Sequence, residues 1–201
     1  MEELQQIDMF KEIINIGMGE AAAALSELLG TRVIIKVPLI SVIGVQDLNR
    51  FFEKEVPSIG VYVAQDFHGE IEGRTILFYT EECSIALLNA MFEDKVRLSA
   101  FTESGKATLQ EVGNIVLVSC ISRISDMINM RIVFEMPVVT LESSDIYFKN
   151  MLRELEKLDK AIVLRNQISV FGRDIEGFLF VLLGFKHFEL IITKLDGLVK
   201  N

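Results

Sequence analysis

The sequence predicts a fold of the α/β class, α+β in type. It is expected to be a pseudo-two-fold duplicated unit with long helices packed on a shared, mostly antiparallel sheet. Three observations predict this. The 201-residue chain repeats itself at a period near 100 residues. Each repeat opens on a long stretch with helical periodicity. Each then runs into strand-like segments, two of them joined across a glycine turn.

The repeat shows when the chain is laid on itself. A shift of 99 residues places Lys11-Glu12-Ile13-Ile14-Asn15-Ile16 on Gln110-Glu111-Val112-Gly113-Asn114-Ile115. The same shift places Arg32-Val33-Ile34 on Arg131-Ile132-Val133 and Pro38 on Pro137. A shift of 104 then places Ile71-Glu72-Gly73 on Ile175-Glu176-Gly177. A period this long is not that of a solenoid, and in-order matches that include a proline and a glycine argue against chance.

The elements follow in the same order in both copies. A long helix is expected at about 4–29 and 104–129, with Gly30 and Thr31 ending the first. A strand containing a proline follows at about 32–44 and 131–142, then a variable connection at about 45–57 and 143–159. Paired strands are expected at about 58–67 with 70–80, turning at His68-Gly69, and at about 161–171 with 174–184, turning at Gly172-Arg173. A short amphipathic helix closes each half at about 81–93 and 185–198, and a polar link spans about 93–103. Three strands with one bare face need a partner layer. The expectation is therefore one domain over residues 1–201, built from internal repeats at about 4–93 and 104–198 that share one sheet and one core.

Composition narrows the function. Half the chain is hydrophobic, and Lys+Arg number 20 against 29 Asp+Glu, a net charge of −9. This argues against a nucleic-acid groove or a polybasic membrane patch. Mean hydropathy is +0.37, yet the longest uncharged run, Val112–Ser122, falls well short of the roughly 18 residues that span a bilayer. The acidic Met1-Glu2-Glu3 start does not read as a signal peptide. Cys83 and Cys120 both sit in apolar segments, so a reduced, cytoplasmic protein with buried thiols is expected.

On the first helix, Phe10, Ile13, Ile14, Gly17, Ala21, Ala24, Leu25 and Leu28 fall on a core side. The opposite stripe is Asp8, Glu12, Asn15, Gly19, Ala22 and Ser26. Three polar side chains stand at one end of a strip otherwise almost free of bulk, which lets another surface come close. Burial against the sheet or the partner helix would explain the strip equally well. The second helix tips the balance. Its matching stripe is Ala107, Glu111, Asn114, Val118, Ile121 or Ser122, and Ser125. Glu-x-x-Asn returns at the equivalent point, although asparagine is a mediocre residue for a helix interior. Solvent accessibility of the four Glu and Asn side chains separates a docking face from a buried one.

Glu-x-x-Asn has no nucleophile, and its stripe has no His, Cys or Lys. The carboxylate can clamp a cation such as a partner's lysine. The amide carries a donor and an acceptor and can orient a water molecule. That role suits phosphoryl transfer, where positioning and electrostatics do most of the work, but metal and phosphoryl group would have to come from elsewhere.

Asp8-x-x-x-Glu12-x-x-Asn15, followed by Ile16-Gly17-x-Gly19-x-Ala21-Ala22, resembles the signature of the CheC-type chemotaxis phosphatases, a group that includes CheX and FliY. The doubled motif, its spacing and the chain length resemble CheC-like members, so the resemblance covers essentially the whole chain. It implies a phosphatase that hydrolyses the aspartyl phosphate of a CheY-type response regulator in two-component signalling. It implies that Asn15 and Asn114 position the attacking water and that Glu12 and Glu111 pair with the regulator's active-site lysine. Asp8 fits the supporting motif position, where the second copy has Ala107. Both sites are expected to act, the first more surely. The Mg²⁺ would belong to the regulator, with no metal or other cofactor on this chain. A CheD-type receptor deamidase is a further partner of such proteins, although no residue pattern here marks its binding. A monomer is expected, because the duplication supplies what a half-length relative would gain by dimerising. The alternative is a binding or scaffold module of the chemotaxis or flagellar-switch machinery.

Other motifs read as structural. Gly17-Met-Gly19-Glu-Ala21-Ala22 matches a dinucleotide fingerprint but has helical residues before it where a strand is required. His68 reads as a turn residue, and His187 has no ligand partner at zinc spacing. Residues 153–160 read as a solvated helical face, and Phe178, Phe180, Phe185 and Phe188 as core.

Overall fold

The computed structural model describes residues 2–56, 58–91, 102–154, 160–170 and 172–199. The first repeat forms α1 (Glu2–Leu29), β1 (Val33–Gly44), a 3-10 turn (Val45–Asp47), α2 (Leu48–Glu55), β2 (Ile59–Gly69), β3 (Gly73–Thr80) and α3 (Glu81–Met91). The second forms α4 (Glu103–Met127), β4 (Ile132–Phe134), β5 (Val138–Ser143), α5 (Ser144–Glu154), β6 (Lys160–Val170), β7 (Arg173–Leu183) and α6 (Phe185–Val199).

Every strand pair is antiparallel. The order is β1-β6-β7-β3-β2, with β4 and β5 both along the outer side of β2. The two hairpins meet at the centre, β3 against β7. Each wing is finished by the other repeat: β1 lies beside β6, and β4 and β5 lie beside β2. Along β2, Val61, Val63 and Phe67 face a core that also holds Ile13 and Ile14 of α1, Val116 and Cys120 of α4, Leu88 of α3 and Ile191 of α6. The alternate residue Tyr62 faces a second core with Leu48 of α2 and Phe148 and Met151 of α5. The sheet is therefore covered on both faces.

Both long helices end alike. Gly30 and Asn129, 99 residues apart, each adopt positive φ, at 61° and 51°. Glycine and asparagine are the residues that reach this left-handed helix-ending conformation at least cost. One turn earlier stand Ser26 and Ser125, also 99 apart. Ser26 Oγ accepts from the Val33 amide at 2.9 Å, and Ser125 Oγ donates to the Met130 carbonyl. Each serine ties its helix to the chain that leaves it, Ser26 at the first residue of β1 and Ser125 just ahead of β4, a net contribution of about 1 kcal/mol.

Several expectations are corrected. The segment 131–142 is two strands, broken at Glu135-Met136-Pro137, because proline cannot donate to the ladder. Its counterpart Pro38 is accommodated inside β1 by a register shift between Lys36 and Leu39. The connections 45–57 and 143–159 contain α2 and α5. His68 is not in a turn: it lies within β2, which ends at Gly69, and pairs with Val133, so the turn falls at 70–72. On α1, Ala24 and Leu28 are exposed, while Met18 and Ala22 are buried. Ser125 is buried, Cys83 is only half-buried, and Phe185 is 51% exposed rather than core. Lys160 opens a strand, and 155–159 lie outside the described residues, as does most of the 93–103 link.

Burial pushes three acidic protons up. The Tyr62 hydroxyl and the Cys120 thiol are each raised to about 12, and Tyr79 is raised as well. Because the folded state holds these protons more tightly than the unfolded chain does, the contribution is complete below the ordinary values of 9.0 and 10.0 and is lost above them. Denaturant midpoints are expected to stay level from these groups up to about pH 9 and to fall between about pH 9 and pH 12. Chemical denaturation across that range measures it.

Candidate functional site

Both Glu-x-x-Asn segments lie well inside their helices, so neither asparagine is a cap. The helices meet beyond the motifs. A Cβ on Gly17 would sit 2.8 Å from the Ser119 carbonyl oxygen and 3.2 Å from Cys120 Cα, so α1 and α4 are in backbone contact there. Glu20 reaches to 3.8 Å from Arg123 across the same contact. The motif stands two to five residues ahead of this crossing on α1, counted from Asn15 and Glu12 to Gly17, and five to nine residues ahead of it on α4, counted from Asn114 to Ser119 and from Glu111 to Cys120.

In α1, Glu12 and Asn15 are exposed. So is Gly19, where an added Cβ would meet no heavy atom within 4 Å. Ala22 is buried and Ser26 half-buried, so the open part of the stripe is its N-terminal half. Asp8 lies in α1 one turn before Glu12; its side chain is outside the described ones. In α4, Ala107 and Glu111 are exposed and Asn114 is half-buried. Burial of all four side chains, the arrangement that would remove a docking role, is not what the fold produces.

The two copies differ at their asparagines. Asn114 Oδ1 accepts from Gln65 Nε2 of β2 at 2.9 Å. No hydrogen bond reaches Asn15 from the other described side chains. Gly113 permits the difference, since a Cβ there would sit 2.5 Å from Val63 Cγ1, so α4 lies directly on β2 beside Asn114. The matching residue in α1 is Ile14. Gln65 was not singled out in the sequence, although it left a signal: it occupies the inward parity of β2 between Val63 and Phe67, where an apolar residue belongs.

Among the described residues, no three or more His, Cys, Asp or Glu side chains group as metal ligands. His68 Nδ1 lies 3.8 Å from the Glu135 carboxylate, both well exposed. Gly17-Met-Gly19 is mid-helix rather than between strand and helix, which removes the dinucleotide reading. A cleft of about 350 Å³ lined by Asp66, Arg74, Glu135, Met136, Tyr147 and Met151 lies over the opposite face of the sheet, beside α5, and no residue of either motif lines it. Among the described residues, no helix is long and apolar enough to cross a membrane.

The CheC-like family matches residues 6–42, which contain Asp8, Glu12 and Asn15 and run from α1 into β1. The chain is 23% identical over 200 residues to the CheY-P phosphatase CheC of Bacillus subtilis, covering 96% of this chain and 95% of that one. In fold it is similar to FliY of Thermotoga maritima, with a TM-score of 0.74, 18% identity and 96% of each chain covered. It is also similar to a chain of the FliM–SpeE complex from H. pylori, with a TM-score of 0.67, 14% identity, and 96% and 95% covered. The motif-bearing segment thus matches the CheC-like family, the whole length is similar in sequence to CheC of Bacillus subtilis, and the fold is similar to that of FliY.

Proposed function

We propose that the chain is a phosphatase for the aspartyl phosphate of a CheY-type response regulator, acting through two sites. The observation that carries this is the exposure of Glu12, Asn15 and Glu111, with Asn114 at the surface beside them, on helix faces cleared of bulk by Gly19 and Ala107. A regulator's active site can approach such a face closely. Glu12 or Glu111 would pair with the regulator's lysine and set the register. Asn15 or Asn114 would reach the phosphoryl group and hold a water in line with the P–O bond. The regulator supplies the Mg²⁺ and the aspartyl phosphate, so the chain's contribution is positioning, which can be worth several orders of magnitude in rate. The relation to CheC supports this reading.

The fold likeness to a FliM-complex chain supports a second reading, a scaffold that binds without turnover. One experiment separates them. Phosphate loss from a phosphorylated, Mg²⁺-bound CheY-type regulator is followed with and without the protein. The phosphatase reading expects acceleration at substoichiometric protein. Binding without acceleration would establish the scaffold.

A further inference from the structure

Gln65 is 2% exposed, and among the described residues it is the one side chain on the α1 and α4 side of β2 that is neither apolar nor at a strand end. Its Nε2 donates to two acceptors, the Glu135 carbonyl oxygen and Asn114 Oδ1, each at 2.9 Å. These bonds impose a direction. A backbone carbonyl can only accept, so Glu135 determines which end of the Gln65 amide faces it. Nε2 can only donate, so it determines which end of the Asn114 amide turns inward. Asn114 is left with Oδ1 held and Nδ2 facing out. Glu135 is itself anchored, its amide donating to the Asp66 carbonyl at 2.9 Å. The strand break at Pro137 thus delivers a fixed acceptor to Gln65.

The arrangement is not needed for the core. Gln65 Oε1 is buried with no hydrogen-bond partner, which an apolar side chain would avoid. The other repeat has the apolar solution: Leu164, 99 residues on and on the same face of β6, is fully buried. Gln65 also supports the site in which position 107 is alanine rather than a polar residue.

We propose that Gln65 is a positioning residue for the second site. It presets the Asn114 carboxamide from the sheet and supplies support that Ala107 cannot give from the helix. This deepens the phosphatase reading and rests on it. The second site is then preorganised, whereas among the described side chains Asn15 has no such support.

The test isolates the second site in an Asn15→Ala background and adds Gln65→Leu, the residue the other repeat carries, or Gln65→Glu, which matches the shape but has no N–H. With phosphorylated, Mg²⁺-bound CheY-type regulator, kcat is expected to fall about tenfold for either, with KM changed less than about twofold. Thermal unfolding of the leucine variant should not be lowered. In a double-mutant cycle, Gln65→Leu should add nothing to Asn114→Ala. An unchanged kcat in the Asn15→Ala background, or an equal loss on top of Asn114→Ala, would overturn the proposal. If the Asn15→Ala protein has no activity to begin with, the second-site phosphatase reading fails separately. Side-chain amide NMR then decides the positioning. The two Asn114 Nδ2 proton resonances should collapse toward free-asparagine values in Gln65→Leu, and unchanged resonances would overturn it.

Discussion

Replacing Asn15 and Asn114 together by alanine is expected to remove the acceleration of regulator dephosphorylation, a loss of about a hundredfold or more. Each single variant should retain the contribution of the remaining site. The loss should come without unfolding. Asn15 is exposed and takes no hydrogen bond from other described side chains, and alanine is the better helix former, so Asn15→Ala should leave the melting temperature level or slightly raised. Asn114→Ala leaves Gln65 Nε2 its bond to the Glu135 carbonyl. Phosphate release measured beside calorimetry separates chemistry from folding. A double variant that turns over at the parent's rate would remove both asparagines from the mechanism and leave a binding module.

The second large effect concerns two glycines two residues apart. Gly17→Leu drives a side chain into the Ser119 and Cys120 backbone of α4. Backbone cannot yield as a flexible side chain can, so the helices must part. Overpacking of this kind, set against leucine's better helix propensity, is expected to cost about 2 kcal/mol net. In a chain of this size that lowers the melting temperature by about 4–8 °C. Gly19 has open space where a Cβ would go, so Gly19→Ala should stabilise by up to about 1 kcal/mol. Differential scanning calorimetry on the two variants reads opposite signs. Equal destabilisation would mean that Gly19, too, lies against something.

Much of this was legible in the residues. The long helices declared themselves because apolar residues recur at three- and four-residue spacing along each. The site motif declared itself because it recurs where helix propensity gives no reason for it. The helices α2 and α5 stayed hidden because each is short and turns few apolar side chains inward, Leu48 in one, Phe148 and Met151 in the other. A pattern that brief does not separate a helix from a connection. The two prolines looked alike in sequence, yet β1 absorbs Pro38 by a register shift while Pro137 ends pairing. The ladder on the neighbouring strand decides that, and it is not local information. Phe185 read as core because a hydrophobic cluster surrounds it in sequence; in the fold it stands outside, with Lys160 Nζ 5.9 Å from its ring. Glu12, Asn15, Glu111 and Asn114 could each be named from spacing, but Gln65 comes from a strand half a repeat away, and only the packing of Gly113 on Val63 brings it to Asn114.

The exchange of outer strands has a consequence for how the chain is made. Val33 pairs with Val170, and Ile59 with Ser143. During synthesis the first repeat therefore leaves the ribosome with neither wing of its sheet complete. Its helix and hairpin wait on sequence that is not yet translated, holding apolar faces that only the second repeat can cover. Closing contacts across such a span is entropically slow and exposes unpaired strand edges meanwhile. Folding is committed late, when the second hairpin arrives and receives β1 on one side and β3 on the other. The exchange of strands between the repeats thus makes the completion of both wings a single event.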